Sequence, residues 1–174
     1  MPFTPLHMGP GILVKAILQG SFSLMVFGWT QIVMDLQPLF VMITGEGQLH
    51  GFSHTFIGAT LIAIISALTG KYLSEFGLVI LKITDKGNPV KIIWWIAFAS
   101  AFIGSYSHVV LDGIMHSDVE PFYPYTASNY FSGLMSIENL HKLCLYTGLV
   151  GAGIYYLIQY KLATRDKITE PDAQ

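Results

Sequence analysis

The sequence predicts an all-α protein, a multi-pass bundle of transmembrane helices with an N-terminal helical hairpin and three full spans. Three observations predict this fold: a low charge content, long apolar runs, and a concentration of lysines in the loops on one side of those runs. Of the 174 residues, 52% are hydrophobic and only 11% are charged, whereas a soluble domain carries roughly 25% charged residues. Too few polar residues remain to cover a soluble surface. The net charge of −2 also excludes the basic stripe of a nucleic-acid binder.

The three predicted spans are apolar runs at residues 53–73, 90–111 and 137–160. Each is about 20 residues long, which at ~1.5 Å per residue crosses ~30 Å of hydrocarbon. Glycines in the last run, Gly148, Gly151 and Gly153, predict close packing between helices. We therefore expect a single integral membrane domain over residues 1–162. Residues 163–174 are expected to form a polar cytoplasmic tail, disordered from Arg165.

The N-terminal region contains two shorter apolar runs, residues 11–18 and 22–34, separated by a predicted turn at residues 19–21. A helix of either length is too short to cross a membrane alone. A helical hairpin would return Asp35 to the same end as His7. A single tilted span over residues 11–33 would instead place them on opposite sides. We favour the hairpin because it brings His7 to the other ionisable residues.

The positive charges predict the orientation in the membrane. Seven of the nine lie in the connection between the first two full spans and in the C-terminal tail: Lys71, Lys82, Lys86, Lys91, Lys161, Arg165 and Lys167. No Lys or Arg occurs between Asp112 and His141. Because cytoplasmic loops carry an excess of Lys and Arg, we expect the C-terminus in the cytoplasm. The loops 35–50 and 112–138 are then expected on the other side.

Histidines and aspartates gather at the predicted non-cytoplasmic ends of the spans. His50 and His54 open one span at a spacing of four residues, and His108, Asp112 and His116 close the next with the same spacing. On a helix, this spacing places side chains on one face. Imidazole nitrogens and carboxylate oxygens converge in this way on zinc, at ~2.0 to 2.2 Å. A lone histidine near an interface is usually a satisfied surface group, but this clustering favours a metal site.

The chain resembles the bacterial family of membrane-bound metal-dependent hydrolases, the YdjM-like inner-membrane proteins. The resemblance covers residues 4–150 and rests on the segments TPLHMGPG (4–11), DLQP (35–38), LHGFSHT (49–55) and SHVVLD (107–112), with residues 114–124 in support. It implies a multi-pass helical fold in the bacterial inner membrane, a divalent metal and hydrolysis.

Two positions depart from the family pattern. Members commonly have an arginine at the position of Gly51, where a guanidinium would suit an anionic substrate oxygen. They also tend to carry a second aspartate where this chain has Gln37. The departures indicate either altered chemistry or a member that binds metal without turnover.

We therefore predict a membrane-embedded metal-dependent hydrolase that acts on a lipid-like or phosphate ester. The metal ligands are expected to be His7, His54, His108 and Asp112, with His50 and Asp35 as further ligands or their supporting partners. Asp35 is the expected general base, because a carboxylate beside a metal can take a proton from water. Zinc suits the mixed ligand set best, and manganese or iron would also accept it. We expect four other residues to line the entrance or to hold a second ion: His116, Asp118, Glu120 and His141.

Two other functions use the same residues. A small transporter would relay protons or bind a permeating ion through them, and it predicts ionisable groups throughout the membrane depth. A non-catalytic metal-binding membrane protein would instead hold a closed site of four ligands, with no open position for water. The bilayer is the expected partner, and the sequence leaves the oligomeric state open.

Overall fold

The computed structural model describes residues 5–83 and 90–169, and within these ranges the chain is all-helical. The described residues do not include Thr4, Lys86 or residues 170–174, on which some of the predictions above rest. The helices, numbered in chain order, are α1 (Met8–Leu18), α2 (Leu24–Met34), α3 (Leu36–Thr44), α4 (Phe56–Ile80), α5 (Trp94–Met115) and α6 (Ile137–Thr169). The predicted all-α class is confirmed.

The first two helices form the predicted hairpin. They join through a short 3₁₀ turn, Gln19–Ser21. The Lys15 ammonium donates hydrogen bonds to the carbonyl oxygens of Gln19 and Phe22, at 2.7 and 2.8 Å, and so satisfies backbone acceptors at both ends of the turn. Beyond the turn, the amide of Ser23 donates to the Ser100 hydroxyl of α5 at 2.8 Å. The hairpin is thereby fixed to the bundle, and the single tilted span is wrong.

The chain from Asp35 onward differs from the expected loop. Helix α3 begins at Leu36, and the helical hydrogen bonds continue across Asp35, from Asp35 N to Gln31 O (3.3 Å) and from Leu39 N to Asp35 O (3.0 Å). Pro38 is the third residue of α3, where an amide has no partner within its own helix, so proline does not prevent the helix. Helices α2 and α3 together are therefore long enough to be a candidate span, Leu24–Thr44.

Four helices of the described chain are long and apolar enough to cross a membrane: Leu24–Thr44, Phe56–Ile80, Trp94–Met115 and Ile137–Arg165. The sequence predicted three, and α2 with α3 adds the fourth. The C-terminal prediction also changes, because α6 continues through Thr169. Residues 165–169 are therefore helical, where disorder was expected.

The bundle core is built largely from small residues, while large apolar side chains face outward. Alanines fill the contact between α4 and α5, among them Ala63, Ala67, Ala97 and Ala101, each fully buried. On the outer surface, side chains such as Phe76 and Leu157 are well over half exposed. Small residues allow close approach of backbones, which is how helices associate where lipid solvates their outer faces.

Glycines set the contact between α1 and α6. A Cβ on Gly9 would overlap the backbone carbonyl of Cys144, and one on Gly151 would lie 2.6 Å from the backbone of Leu13. Gly148 lies against Gly9 itself, whereas Gly153 has open space around it. The close packing predicted from these glycines therefore holds for two of the three positions in α6. It positions the start of α1, and hence His7, at one end of the bundle.

Candidate metal centre

Helix α5 supplies the central pair of the candidate site. His108 and Asp112 are one helical turn apart, and Nε2 of His108 lies 3.2 Å from Oδ2 of Asp112. Both are deep in the protein, with exposed fractions of 0% and 4%. The spacing of four residues placed them on one face as predicted, because α5 is regular from Trp94 to Met115.

Asp35 and His54 reach the same point from two other elements. Asp35 lies at the junction of α2 and α3, and its Oδ1 is 3.4 Å from Nε2 of His108. His54 ends a 3₁₀ turn just before α4, and its Nε2 is 3.1 Å from Oδ2 of Asp112. Thr55 holds this turn against the helix: its hydroxyl accepts from the amide of Gly58 and donates to the carbonyl of Phe52, both at 2.9 Å.

Together, Asp35, His54, His108 and Asp112 could hold a metal ion. All four are buried, and one ligand atom from each lies within 4.8 Å of the others. Neighbouring ligand atoms lie ~3.0–3.4 Å apart around an ion with bonds of ~2.1 Å, which is close to the 3.1–3.4 Å measured here. Two carboxylates side by side in a buried site repel each other unless a positive charge lies between them.

The ring nitrogens supply a direct test of whether a metal fits. Nε2 of His54 and Nε2 of His108 are buried and have no hydrogen-bond partner, although both lie close to the Asp112 carboxylate. An ordinary structural His–Asp network would align an N–H with a carboxylate oxygen. Buried polar atoms that converge without bonding one another are the arrangement expected of metal ligands.

His7 adjoins this group, as the hairpin predicted. Its Nε2 lies 3.5 Å from Oδ1 of Asp112, and its ring packs edge-on against that of His108, 4.8 Å between centroids. Neither ring nitrogen of His7 has a hydrogen-bond partner. Burial, reinforced by the neighbouring His108, lowers the pKa of His7 to about 4. His7 is therefore neutral near pH 7, the form in which imidazole binds metals.

Gln31 orients His108, a role that was not predicted from the sequence. The side-chain amide of Gln31 donates to the carbonyl of Gly104 at 2.9 Å, which leaves its oxygen to accept from Nδ1 of His108 at 2.8 Å. A carbonyl can only accept, so the chain of bonds places a proton on Nδ1 and directs Nε2 toward the carboxylates. The available signal was a glutamine four residues before Asp35 in an otherwise apolar run.

His54 has a hydrogen-bond partner of the same kind. Its Nδ1 lies 2.8 Å from the hydroxyl of Ser53, and both groups are buried. Burial lowers the pKa of His54, which favours the neutral ring that a metal requires. The ring faces the carboxylates through Nε2, as does that of His108.

A second group, formed by His50, His116 and Asp118, lies beside the first. Nδ1 of His50 donates to Oδ2 of Asp118 at 2.9 Å, and the rings of His50 and His116 stack at 4.4 Å. One ligand atom from each lies within 4.8 Å of the others, so this group could also hold an ion. Burial and the neighbouring His50 lower the pKa of His116. Burial alone would raise the pKa of Asp118, but the hydrogen bond from His50 lowers it.

Contrary to the prediction from the sequence, His50 does not lie on a common helical face with His54. His50 and His54 were expected on one helical face, but α4 begins only at Phe56, and His54 ends a separate 3₁₀ turn. The four-residue spacing therefore brings the rings to 5.0 Å without joining them in one ligand group. His116 likewise leaves the face of α5, because its backbone is extended (φ −121°, ψ 123°) and ends the helix.

Glu120 and His141 were expected at the entrance. Glu120 lines a polar cavity of about 210 Å³ together with His50 and Tyr123. The loop that follows closes onto α4, since Phe56 N donates to the carbonyl of Pro121 at 2.9 Å. His141 belongs to neither ligand group of the described residues, and its Nε2 is buried without a hydrogen-bond partner.

Gly51 and Gln37 lie against each other. They are the two positions at which the chain differs from the pattern of the family that it resembles. A Cβ on Gly51 would overlap the side-chain amide of Gln37. Gln37 is held in place because its oxygen accepts from the amide of Ser53 at 3.0 Å, beside His54. Gly51 and Gln37 thus form one compact arrangement, and a larger residue at position 51 would have to displace Gln37.

Comparison of the chain with family models, with curated proteins and with solved structures found no match.

Replacing His54 or His108 by alanine is expected to abolish tight metal binding, because each removes a buried ring nitrogen from the group of four. Elemental analysis of protein purified in detergent, after incubation with zinc and removal of excess, measures this directly. His141→Ala is the matched control, since His141 belongs to neither group, and it should keep the metal content of the parent. Equal metal content in all three variants would contradict the site.

Gln31→Met is expected to weaken metal binding by about 10- to 100-fold, because groups that orient a metal-binding histidine contribute at this level. Competition with a chelator of known affinity measures the change. Gln159→Met is the control, because Gln159 lies on the exposed face of α6, where its side-chain amide donates to the side-chain oxygen of Gln19 at 3.1 Å. An affinity of the Gln31 variant equal to that of the control would show that His108 needs no such partner.

Proposed function

We propose that the protein is a membrane-embedded metal-dependent hydrolase, with zinc as the metal. One observation carries the proposal: ring nitrogens of His54 and His108, buried and without hydrogen-bond partners, converge with Asp35 and Asp112 on one point. The group combines nitrogen and carboxylate oxygen donors, as catalytic zinc sites do. Manganese or iron would accept the same donors.

His54, His108 and Asp112 would hold the metal, with His7 next to them. When bound, a divalent cation supplies a Lewis acid that polarises a carbonyl or phosphoryl oxygen and lowers the pKa of water. Gln31 keeps Nε2 of His108 directed at the site. The same buried surroundings exclude bulk water, which strengthens every electrostatic interaction with the substrate.

Asp35 is the proposed general base. It takes a proton from the attacking water as the water oxygen bonds to the carbonyl carbon or phosphorus of an ester. The ester C–O or P–O bond then breaks, and the proton passes to the leaving alcohol oxygen, so one water is consumed and one acid and one alcohol are formed. The positions of the two aspartates suit these different roles. Asp112 lies within α5, between His54 and His108. Asp35 lies at the junction that ends α2, on another side of the group.

The resemblance to the YdjM-like membrane-bound hydrolases supports the same proposal, and the bacterial inner membrane is the location proposed with it. The substrate proposed is a lipid-like or phosphate ester. Gly51 and Gln37 leave no guanidinium beside His54, so an anionic phosphate has no bidentate partner at that position. The site is proposed on the non-cytoplasmic side, because the lysine-rich connection after Lys71 and the C-terminus belong to the opposite end by the charge bias of the loops.

Asp35→Asn should keep the metal but reduce hydrolysis by about 10²- to 10⁴-fold, the usual contribution of a general base. The assay compares p-nitrophenyl palmitate with p-nitrophenyl phosphate, and elemental analysis of the same samples gives the metal content. Asp112→Asn should lose both metal and activity. The exposed Glu46 provides a matched control, Glu46→Gln, which should resemble the parent. Loss of metal in Asp35→Asn equal to that in Asp112→Asn would show that Asp35 is a ligand and not the base.

The orientation is tested with single cysteines in a Cys144→Ala background. Tyr125 is 89% exposed in the loop between α5 and α6, and Thr164 is exposed near the end of α6. A membrane-impermeant maleimide applied to intact spheroplasts should label Tyr125→Cys at once and Thr164→Cys only after lysis. The reverse pattern would place the metal centre on the cytoplasmic side.

A further inference from the structure

A groove runs along one side of α2 and ends at the metal centre. Its volume is about 580 Å³, within the ~300–1,000 Å³ typical of sites for small ligands. The start of α1 forms one wall, and Leu73 and Ser74 of α4 form the other. From Leu24 to Asp35 the groove follows α2 for ~16 Å, at 1.5 Å per residue.

The polarity of the groove changes along its length. Asp35 and Gln31, the polar side chains contributed by α2, lie at the end that belongs to the metal centre. Away from that end the lining is apolar, including Met8, Met25 and Trp29, apart from Ser74. A ligand that fills it therefore has a polar group at Asp35 and a hydrocarbon portion along α2.

The groove opens sideways, toward the surface that faces lipid if α2 and α4 span the membrane. Met25 and Ile32 line it and are 39% and 43% exposed. Both belong to the apolar exterior of the bundle, so a hydrocarbon chain could enter from the bilayer without passing through water. The methionines at its walls are flexible and adapt to a chain of varying shape.

Gly28 provides the space in the middle of the groove. A Cβ at this position would already touch Met8, at 3.3 Å from Cε and 3.5 Å from Sδ. A larger side chain would therefore occupy the volume between α1 and α2. The absence of a side chain here keeps the apolar end of the groove continuous with the end at Asp35.

We propose that this groove holds one hydrocarbon chain of a membrane lipid, whose ester group lies at Asp35 and the metal centre. The inference rests on the proposed function and makes it specific: the substrate is an acyl lipid drawn sideways from the bilayer. A short water-soluble ester could place its ester group at Asp35 but would leave the apolar part of the groove unfilled.

The test uses phosphatidylglycerol that carries a diazirine at the end of one acyl chain, in nanodiscs with the intact protein. After illumination, mass spectrometry should find labels concentrated on Met25 and Leu73 relative to Leu157, which is 58% exposed on the outside of α6. Gly28→Leu should reduce this ratio by about tenfold, since a filled groove excludes the chain. Ile32→Trp, at an exposed position one turn along, provides a second obstruction that does not depend on the contact with Met8.

Gly153→Leu is the matched control, because Gly153 has open space around it, and it should label like the parent. Labelling of Met25 and Leu73 no stronger than that of Leu157, or unchanged in both obstructed variants, would overturn the inference. Disulfide-linked dimers of a Met25→Cys variant in the same nanodiscs would identify a second copy of the chain as the occupant and overturn it equally.

Metal content measured on the same samples separates this inference from the proposed function. Metal bound in the parent without preferential labelling of the groove would leave the hydrolase proposal standing and remove the chain site. Preferential labelling without bound metal would keep the chain site and remove the hydrolase. Unchanged metal content in Gly28→Leu, with labelling lost, is the expected result.

Discussion

Two carboxylates, Asp35 and Asp112, are buried side by side at one end of an apolar bundle, and the rest of the structure depends on how their charge is compensated. Burying an ionised carboxylate costs several kcal/mol unless an opposite charge and hydrogen bonds offset it. An aspartate in the centre of a membrane helix costs ~2.5–3.5 kcal/mol even on insertion scales. His54 and His108 approach Asp112 to 3.1 and 3.2 Å, yet their Nε2 atoms form no hydrogen bond. A divalent cation bound at this point would satisfy all these groups at once.

Much of the local structure serves to bring these side chains together. The hairpin turn, held by Lys15 and by the bond from Ser23 to Ser100, returns α2 so that Asp35 meets α5. Thr55 fixes the turn that carries His54. The small residues between α4 and α5 allow these two helices to pack closely. Gly9 likewise allows α1 to pack closely against α6, which positions the start of α1 beside the site. A larger residue at Gly9 would overlap the backbone of Cys144 and displace α1.

Regular helical segments are where the sequence was most informative. The spacing of His108 and Asp112 predicted their common face correctly, because α5 is regular between them. The hairpin was also predictable, since neither short apolar run could span a membrane alone and His7 matched the other histidines only if the chain turned back. Gly148 and Gly151 pack as predicted. Gly153 does not, because it lies on an exposed face of α6 and has open space around it.

Irregular segments and hydrogen-bond partners could not be predicted in the same way. The spacing of His50 and His54 implied one helix, but a 3₁₀ turn intervenes and places His50 beside His116 and Asp118. Residues 35–50 were expected to form a loop, but α3 begins at Leu36, and proline at position 38 fits the first turn of a helix. Gln31 belongs to no motif in the sequence. It orients His108 because its amide is held by the carbonyl of Gly104, 73 positions along the chain. Such contacts exist only after the helices have packed.

X-ray absorption spectroscopy at the zinc edge of the purified, zinc-loaded protein shows whether the buried histidines and aspartates bind a metal. We expect nitrogen and oxygen ligands at ~2.0–2.2 Å, with the outer-shell scattering of at least two imidazole rings. A spectrum of zinc surrounded only by water oxygens, or a protein that retains no zinc, would contradict it. The buried histidines and aspartates would then be a proton-sharing network, and the metal centre would have to be abandoned.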